Sequence, residues 1–160
     1  MDDVELGNGQ PAKREVVDHP GGVSVAVLTE KNELIFVRQF RYPYKKVLLE
    51  LPAGKLETGE DPFEAMKREQ LEETGTKGES YVSLGEVYPT PGYCGEIIRL
   101  WACRRTERQQ ELHLDEDEFL DVELIPLDKA VEMVLSNEIP DAKTQIGVLK
   151  TAFLVKNRLI

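Results

Sequence analysis

The segment from Asp61 to Gly75, DPFEAMKREQLEETG, constrains the fold most, because it punctuates one helix at both ends. Asp61 is an N-cap acceptor, Pro62 suits the first helical position, Glu64 completes a capping-box pattern and Gly75 is a stop. Apolar segments surround it. Gly22 to Leu28 alternates as a strand, Glu33 to Gln39 follows a Lys31-Asn32 turn, and KVLLELP forms a third apolar strand ending at Pro52. Ala53 to Pro62 reads as a glycine-containing loop leading into the helix. Beyond the helix, Tyr81 to Tyr88 and Ile97 to Cys103 read as strands separated by the turn-rich PTPGYCGE. An acidic segment, His113 to Glu118, leads into FLDVELIPL, and helical patterns run from Leu127 to Asn137 and from Ala142 to Arg158. In the last, Ile146, Leu149, Phe153 and Leu154 recur at helical spacing and predict packing onto the body. Strands covered by helices predict a mixed α/β or α+β sandwich.

The 160 residues suit one domain spanning 1–160, without repeats or linkers. A net charge of −10 argues against nonspecific nucleic-acid binding, which needs cations to neutralise phosphates. It leaves room for an anionic small substrate, provided arginines or metal ions gather where that substrate docks. No apolar run approaches the ~20 residues of a membrane span, so no membrane partner is expected. The start, MDDVELGNGQ, is too acidic and polar for a signal peptide. Cys94 and Cys103 alone make neither a disulfide framework nor a zinc site, and the expected location is the cytoplasm.

Within the helix, Glu69 and Glu73 lie one turn apart, with Glu72 between their directions, while Phe63, Met66 and Gln70 lie on another side. Carboxylates in a last turn oppose the helix dipole by roughly 0.3–1 kcal/mol each. Repulsion between partly buried pairs at about 4 Å reaches roughly 4 kcal/mol. Two readings follow: a solvated acidic face balanced by Lys67 and Arg68, or a site for a hard divalent cation that turns repulsion into coordination.

The spacing around this face decides between them. From Gly54 the chain reads GKLETGEDPFEAMKREQLEETGT, which resembles the Nudix box G-x5-E-x7-R-E-U-x-E-E-x-G-U, with U a bulky aliphatic residue. Gly54, Glu60, Arg68, Glu69, Glu72, Glu73 and Gly75 all match in order and spacing. The segments KREVVDHPGGVSVAVL, VRQFRYP, LELPAGKLE, PTPGYCGE, LDEDEFLDVELIPL and DAKTQIGVLK are similar to the ADP-ribose pyrophosphatase branch, bacterial type. Pro91, fifteen residues beyond Thr76, is a further mark of that branch.

The resemblance implies a Nudix-type α/β/α sandwich of α+β class with a mixed central sheet. It implies Mg²⁺-dependent hydrolysis of a nucleoside diphosphate linked to another moiety, with Mn²⁺ able to substitute. By position, Glu69 and Glu73 are the expected metal ligands, with Glu72 assisting and the backbone carbonyl of Ala53 as a further ligand. Arg68 and Glu60 are expected to tie loop to helix. In this branch the general base comes from a later acidic loop, which makes Glu116 the candidate base and Glu118 a metal-side partner; the choice between the two stays open. Arg38 and Arg41 are candidate diphosphate contacts, Arg41 the better placed, since guanidinium meets phosphate bidentately. His19 is expected to be structural. Tyr88, Tyr93 and Trp101 are either an adenine-stacking face or core.

The implied reaction is cleavage of ADP-ribose to AMP and ribose 5-phosphate. Other ADP-sugars or GDP-mannose are the alternative substrates, and a nucleotide-sensing domain without turnover is a further one. Such sensors tend to lose box carboxylates, and this chain keeps all of them. Three departures from the pattern stand out. Gln70 and Thr76 occupy the two aliphatic box positions, and burying Gln70 without partners would cost about 1–3 kcal/mol, so its amide is expected to be hydrogen-bonded or to reach solvent. Relatives also carry a further N-terminal strand, so residues 1–18 are expected to form a shortened segment near a homodimer interface.

Overall fold

The computed structural model describes residues 1–108 and 121–160. Strand β3 (Gly22–Leu28) is its axis, buried at every position. Its side chains alternate between two cores rather than between core and water. Val23, Val25 and Val27 join Ala65 and Met66 of the punctuated helix, whereas Ala26 and Leu28 join Leu34, Phe36, Leu100 and Val148. A strand covered on both faces belongs in the middle of a three-layer sandwich.

Around it, β4 (Glu33–Arg41), β5 (Lys46–Glu50), β6 (Ala53–Lys55), β7 (Thr76–Val87), β8 (Ile98–Arg108) and β9 (Asp121–Pro126) complete a seven-stranded sheet. The path runs β5-β4-β3-β8-β7, with β6 on β3 and β9 on β4. Among the described strands only β3 and β8 pair in parallel, so the sheet is mixed. Helix α1 (Pro62–Thr74) packs on one face; α2 (Leu127–Leu135) and α3 (Ala142–Lys156) cover the other. This is the α+β sandwich with a mixed sheet that the sequence predicts.

The ends of α1 are as the residues dictate. The Asp61 side chain accepts from Phe63 N and Glu64 N, and Gly75 closes the helix in the left-handed region, φ 62°, its N–H donating to Leu71 O. Glu64 turns to Lys67 instead of completing the capping box, Oε1 to Nζ 2.7 Å.

Three strands go unread in the sequence. The polar start folds as a hairpin, β1 (Asp2–Glu5) on β2 (Pro11–Arg14), separate from the main sheet. The loop expected from Ala53 begins as β6, pairing Ser24 with Ala53 and Gly22 with Lys55. Strand β7 also starts earlier than its apolar pattern, at Thr76, with register shifts along its pairing to β8. The acidic segment bearing Glu116 and Glu118 lies outside the described residues.

Candidate active site

One groove of about 880 Å³ gathers the chemistry. Its walls include Arg41, Glu50, Ala53, Gly54, Arg68, Glu69, Glu72, Asp141 and Lys143. The fold brings these together because β6 lies against β3 beside α1, while the end of β4–β5 meets the start of α3.

Gly54 explains how tightly helix and strand approach. A Cβ built there would lie 1.9 Å from Cδ of Glu69, so any other residue would expel that carboxylate from its place. Next to it, Ala53 N–H donates to Glu73 Oε2 at 2.9 Å, and Glu73 is buried. The box glycine and two box glutamates therefore form one packed unit between β6 and α1.

Arg68 is the internal counter-ion of this face. Its Nε and Nη2 meet Glu60 Oε1 and Oε2 at 2.9 and 3.1 Å, binding the loop to the helix. Its Nη1 also donates to Glu69 Oε1 and Glu72 Oε2, both at 2.9 Å. The hydrogen bonds it donates to Glu60 hold the guanidinium above its ordinary value, and Arg68 in turn holds the Glu60 carboxyl below the usual range. Repulsion between Glu69 and Glu72 is thus relieved within the chain.

An oxygen-rich site of this kind suits a hard divalent cation: three carboxylates on neighbouring turns beside a backbone carbonyl, with a glycine where a side chain would intrude. Among the described residues no three His, Cys, Asp or Glu side chains converge as a finished metal cluster. The carboxylates are directed instead to Arg68 and to Ala53 N–H.

The two candidate arginines part company. Three residues apart on β4, they point to opposite faces of the strand. Arg41 lines the groove, while Arg38 pairs with Glu123 of β9 at 2.8 Å. Arg41 donates through Nε to Glu50 Oε1 at 2.7 Å and through Nη2 to Glu50 Oε2 at 2.6 Å. Lys143 Nζ donates to the same Oε2 and to Asp141 Oδ2, the latter at 3.0 Å. Burial pushes Glu50 up, but Arg41 and Lys143 prevail and hold it below the usual carboxylate range. Its hydrogen bonds likewise raise Arg41. Asp141 also caps α3, accepting from Thr144 N at 3.0 Å and Thr144 Oγ1 at 2.6 Å, and Leu51 N–H donates to Thr144 Oγ1 at 2.9 Å.

Glu50, Lys143 and Asp141 escaped the sequence reading. A glutamate within an apolar strand run and a lysine in the first turn of a helix are the faint signals that were there. His19 accepts from Gly21 N at 3.1 Å through Nδ1, at the groove rim. Trp101 packs beside Phe63 with ring centroids 6.1 Å apart, so it is core, while Tyr88 and Tyr93 are exposed.

Beneath the carboxylate face, Gln70 is fully buried and satisfied. Its Nε2 donates to Thr76 Oγ1 at 3.3 Å, and its Oε1 accepts from Tyr81 OH at 2.9 Å and from Cys103 Sγ at 3.7 Å. The two residues that depart from the aliphatic box positions therefore partner each other.

The NUDIX domain family matches residues 18–146. The chain is 44% identical over 149 residues to the methanol dehydrogenase activator of Bacillus methanolicus, covering 92% of this chain and 80% of that protein. It is 40% identical over 149 residues to the ADP-ribose pyrophosphatase of Bacillus subtilis, with the same coverage of 92% and 80%. To the GDP-mannose pyrophosphatase of Yersinia enterocolitica it is 33% identical over 147 residues, covering 82% of this chain and 73% of that protein. With its box glycine, arginine and glutamates assembled at one groove, this chain belongs to the Nudix family.

Proposed function

We propose that the groove hydrolyses the diphosphate of ADP-ribose to AMP and ribose 5-phosphate. The observation that carries this reading is that Arg41 and the Ala53–Gly54–Glu69–Glu72 wall face one cavity, a cation for phosphate opposite oxygen ligands for metal. Glu69 and Glu73 would hold Mg²⁺, or Mn²⁺ in its place, with Glu72 and the Ala53 carbonyl as further oxygen donors. Bound there, such an ion would supply positive charge to the diphosphate and a lowered pKa to an attacking water. Arg41 orients the diphosphate through the guanidinium edge that Glu50 does not use. Glu60 and Arg68 hold the loop to the helix, and Gly54 and Gly75 give the backbone its close approach and its turn. Glu116, or Glu118 in its place, is the candidate to take the proton of the water.

The hairpin of β1 and β2 supports a homodimer, because a lone two-stranded hairpin is marginal in water and gains from a second surface. A cytoplasmic location is in keeping with Cys94 and Cys103 both standing as free thiols; among the described residues no helix is long and apolar enough to cross a membrane.

The substrate is tested by a panel of nucleoside diphosphate sugars with Mg²⁺, ranked by kcat/KM. ADP-ribose is expected to lead; a GDP-mannose value far above it moves the assignment to the second reading, which the name of the Yersinia relative favours. Glu73→Gln separates hydrolase from nucleotide sensor. It keeps an oxygen for Ala53 N–H but removes the charge, so turnover is expected to fall by about 100-fold or more with unchanged circular dichroism.

A further inference from the structure

Two cations share one buried carboxylate in the groove wall. Glu50, 2% exposed at its side chain, binds Arg41 bidentately and Lys143 at Oε2. An arginine has five N–H donors, and Glu50 takes one on Nε and one on Nη2. The outer edge, Nη1 with the second Nη2 hydrogen, remains as a fork for phosphate. Geometry alone does not make that fork attractive, however, since an arginine–glutamate pair is neutral as a unit. Lys143 supplies a second positive charge to the same carboxylate. The negative charge of Asp141 answers Lys143, yet that carboxylate also binds Thr144 N and Oγ1 at the positive end of α3.

We infer that Lys143 is a positioning residue for diphosphate binding: by sharing Glu50, it keeps Arg41 both aimed and net cationic toward the groove. This rests on the proposed diphosphate chemistry, and it deepens that reading by naming the residue, on α3, that tunes phosphate affinity. Lys143 and Glu50 are 93 positions apart, so only the fold joins them.

The test measures KM and kcat for ADP-ribose, and calorimetric binding of ADP as a diphosphate probe, in four variants. Lys143→Met is expected to raise KM and the ADP Kd about 10-fold with kcat within about twofold, and Lys143→Arg to restore both. Asp141→Asn keeps a capping side chain but removes the charge opposing Lys143, so KM and Kd are expected to fall about threefold. Val148→Ala, which opens a cavity in the apolar core beneath α3, is expected to lower Tm with KM unmoved. If Lys143→Met fails to fold, Lys143→Arg and Asp141→Asn still decide. An unchanged Kd in Asp141→Asn, or a Lys143→Met effect matched by Val148→Ala at equal Tm loss, overturns the inference. A wild-type protein that binds ADP but leaves ADP-ribose intact overturns the substrate alone. One that neither binds ADP nor cleaves ADP-ribose overturns both.

Discussion

Beneath the last turn of α1, Gln70, Thr74, Thr76, Tyr81 and Cys103 are buried or half-buried as a neutral hydrogen-bonded cluster. At the start of α3, Arg41, Glu50, Lys143 and Asp141 are bound together as ions. Both satisfy polar groups that would otherwise be expensive to bury. They differ in what they offer the groove. The neutral cluster lies behind the carboxylates and supports them without changing their charge. The ionic cluster lines the groove itself and carries charge into it. Neutral clusters tolerate replacement as a set, whereas breaking an ion pair leaves a charge stranded.

The largest expected effect follows from that asymmetry. Glu50→Gln strands Arg41 and Lys143 against each other and is expected to destabilise by about 3–5 kcal/mol, read by urea unfolding. A loss under about 1 kcal/mol would mean that the two cations escape to solvent, erasing the contrast between the clusters. In the neutral cluster, Gln70→Leu leaves Thr76 and Tyr81 short of partners and is expected to lose about 1–3 kcal/mol. Adding Thr76→Val restores apolar character at both box positions, so the double variant is expected to lose less than the sum. Strict additivity would mean that the 3.3 Å bond between them contributes nothing.

How far each cluster was legible follows from the distance its bonds span. The cap at Asp61, the stop at Gly75 and the carboxylate spacing are local, so the sequence displays all of α1. Gln70 and Thr76 showed as two separate departures, and a partner was foreseeable for Gln70 because burial without one is costly. That the partner is Thr76, with Tyr81 and Cys103 beside it, depends on where β7 and β8 lie. Of the ionic cluster only Arg41 stood out and its partners left faint signals, because the bond between Lys143 and Glu50 spans 93 positions. The opposite directions of Arg38 and Arg41 were within reach: pleat parity alone puts residues three apart on different faces. Strand β6 hid because its three residues resemble the loop they begin, and the polar hairpin hid because it has no apolar face to read.

The clusters should also separate by pH. Glu50 is held below its ordinary value of 4.5, so its stabilisation is full above that pH and fades as pH falls through the lower folded value. The Tm gap between wild type and Glu50→Gln is therefore expected to narrow from pH 6 to pH 3.5, by about 2–4 °C for each kcal/mol lost. The gap for Gln70→Leu should hold steady over the same window. Burial pushes Tyr81 and Cys103 up to about 12, so neither gains nor loses a proton there. A Gln70→Leu gap that narrowed in parallel would show that the neutral cluster depends on a titrating neighbour.

The smallest effect concerns the thiols, and it tests whether the neutral cluster is closed. A thiolate is the reactive form, and Cys103 is both fully buried and held protonated, while Cys94 is partly exposed on its loop. At pH 8 a thiol reagent should modify Cys94 in the folded protein and reach Cys103 only on unfolding. Gln70→Leu removes the acceptor that Cys103 faces and lowers the barrier to opening around it, so labelling of Cys103 is expected to quicken by about 5- to 150-fold, following the 1–3 kcal/mol of lost stability. Labelling of Cys103 in the folded wild type as fast as Cys94 would mean that the cluster opens without unfolding. The carboxylates above it would then rest on a mobile floor rather than a fixed one.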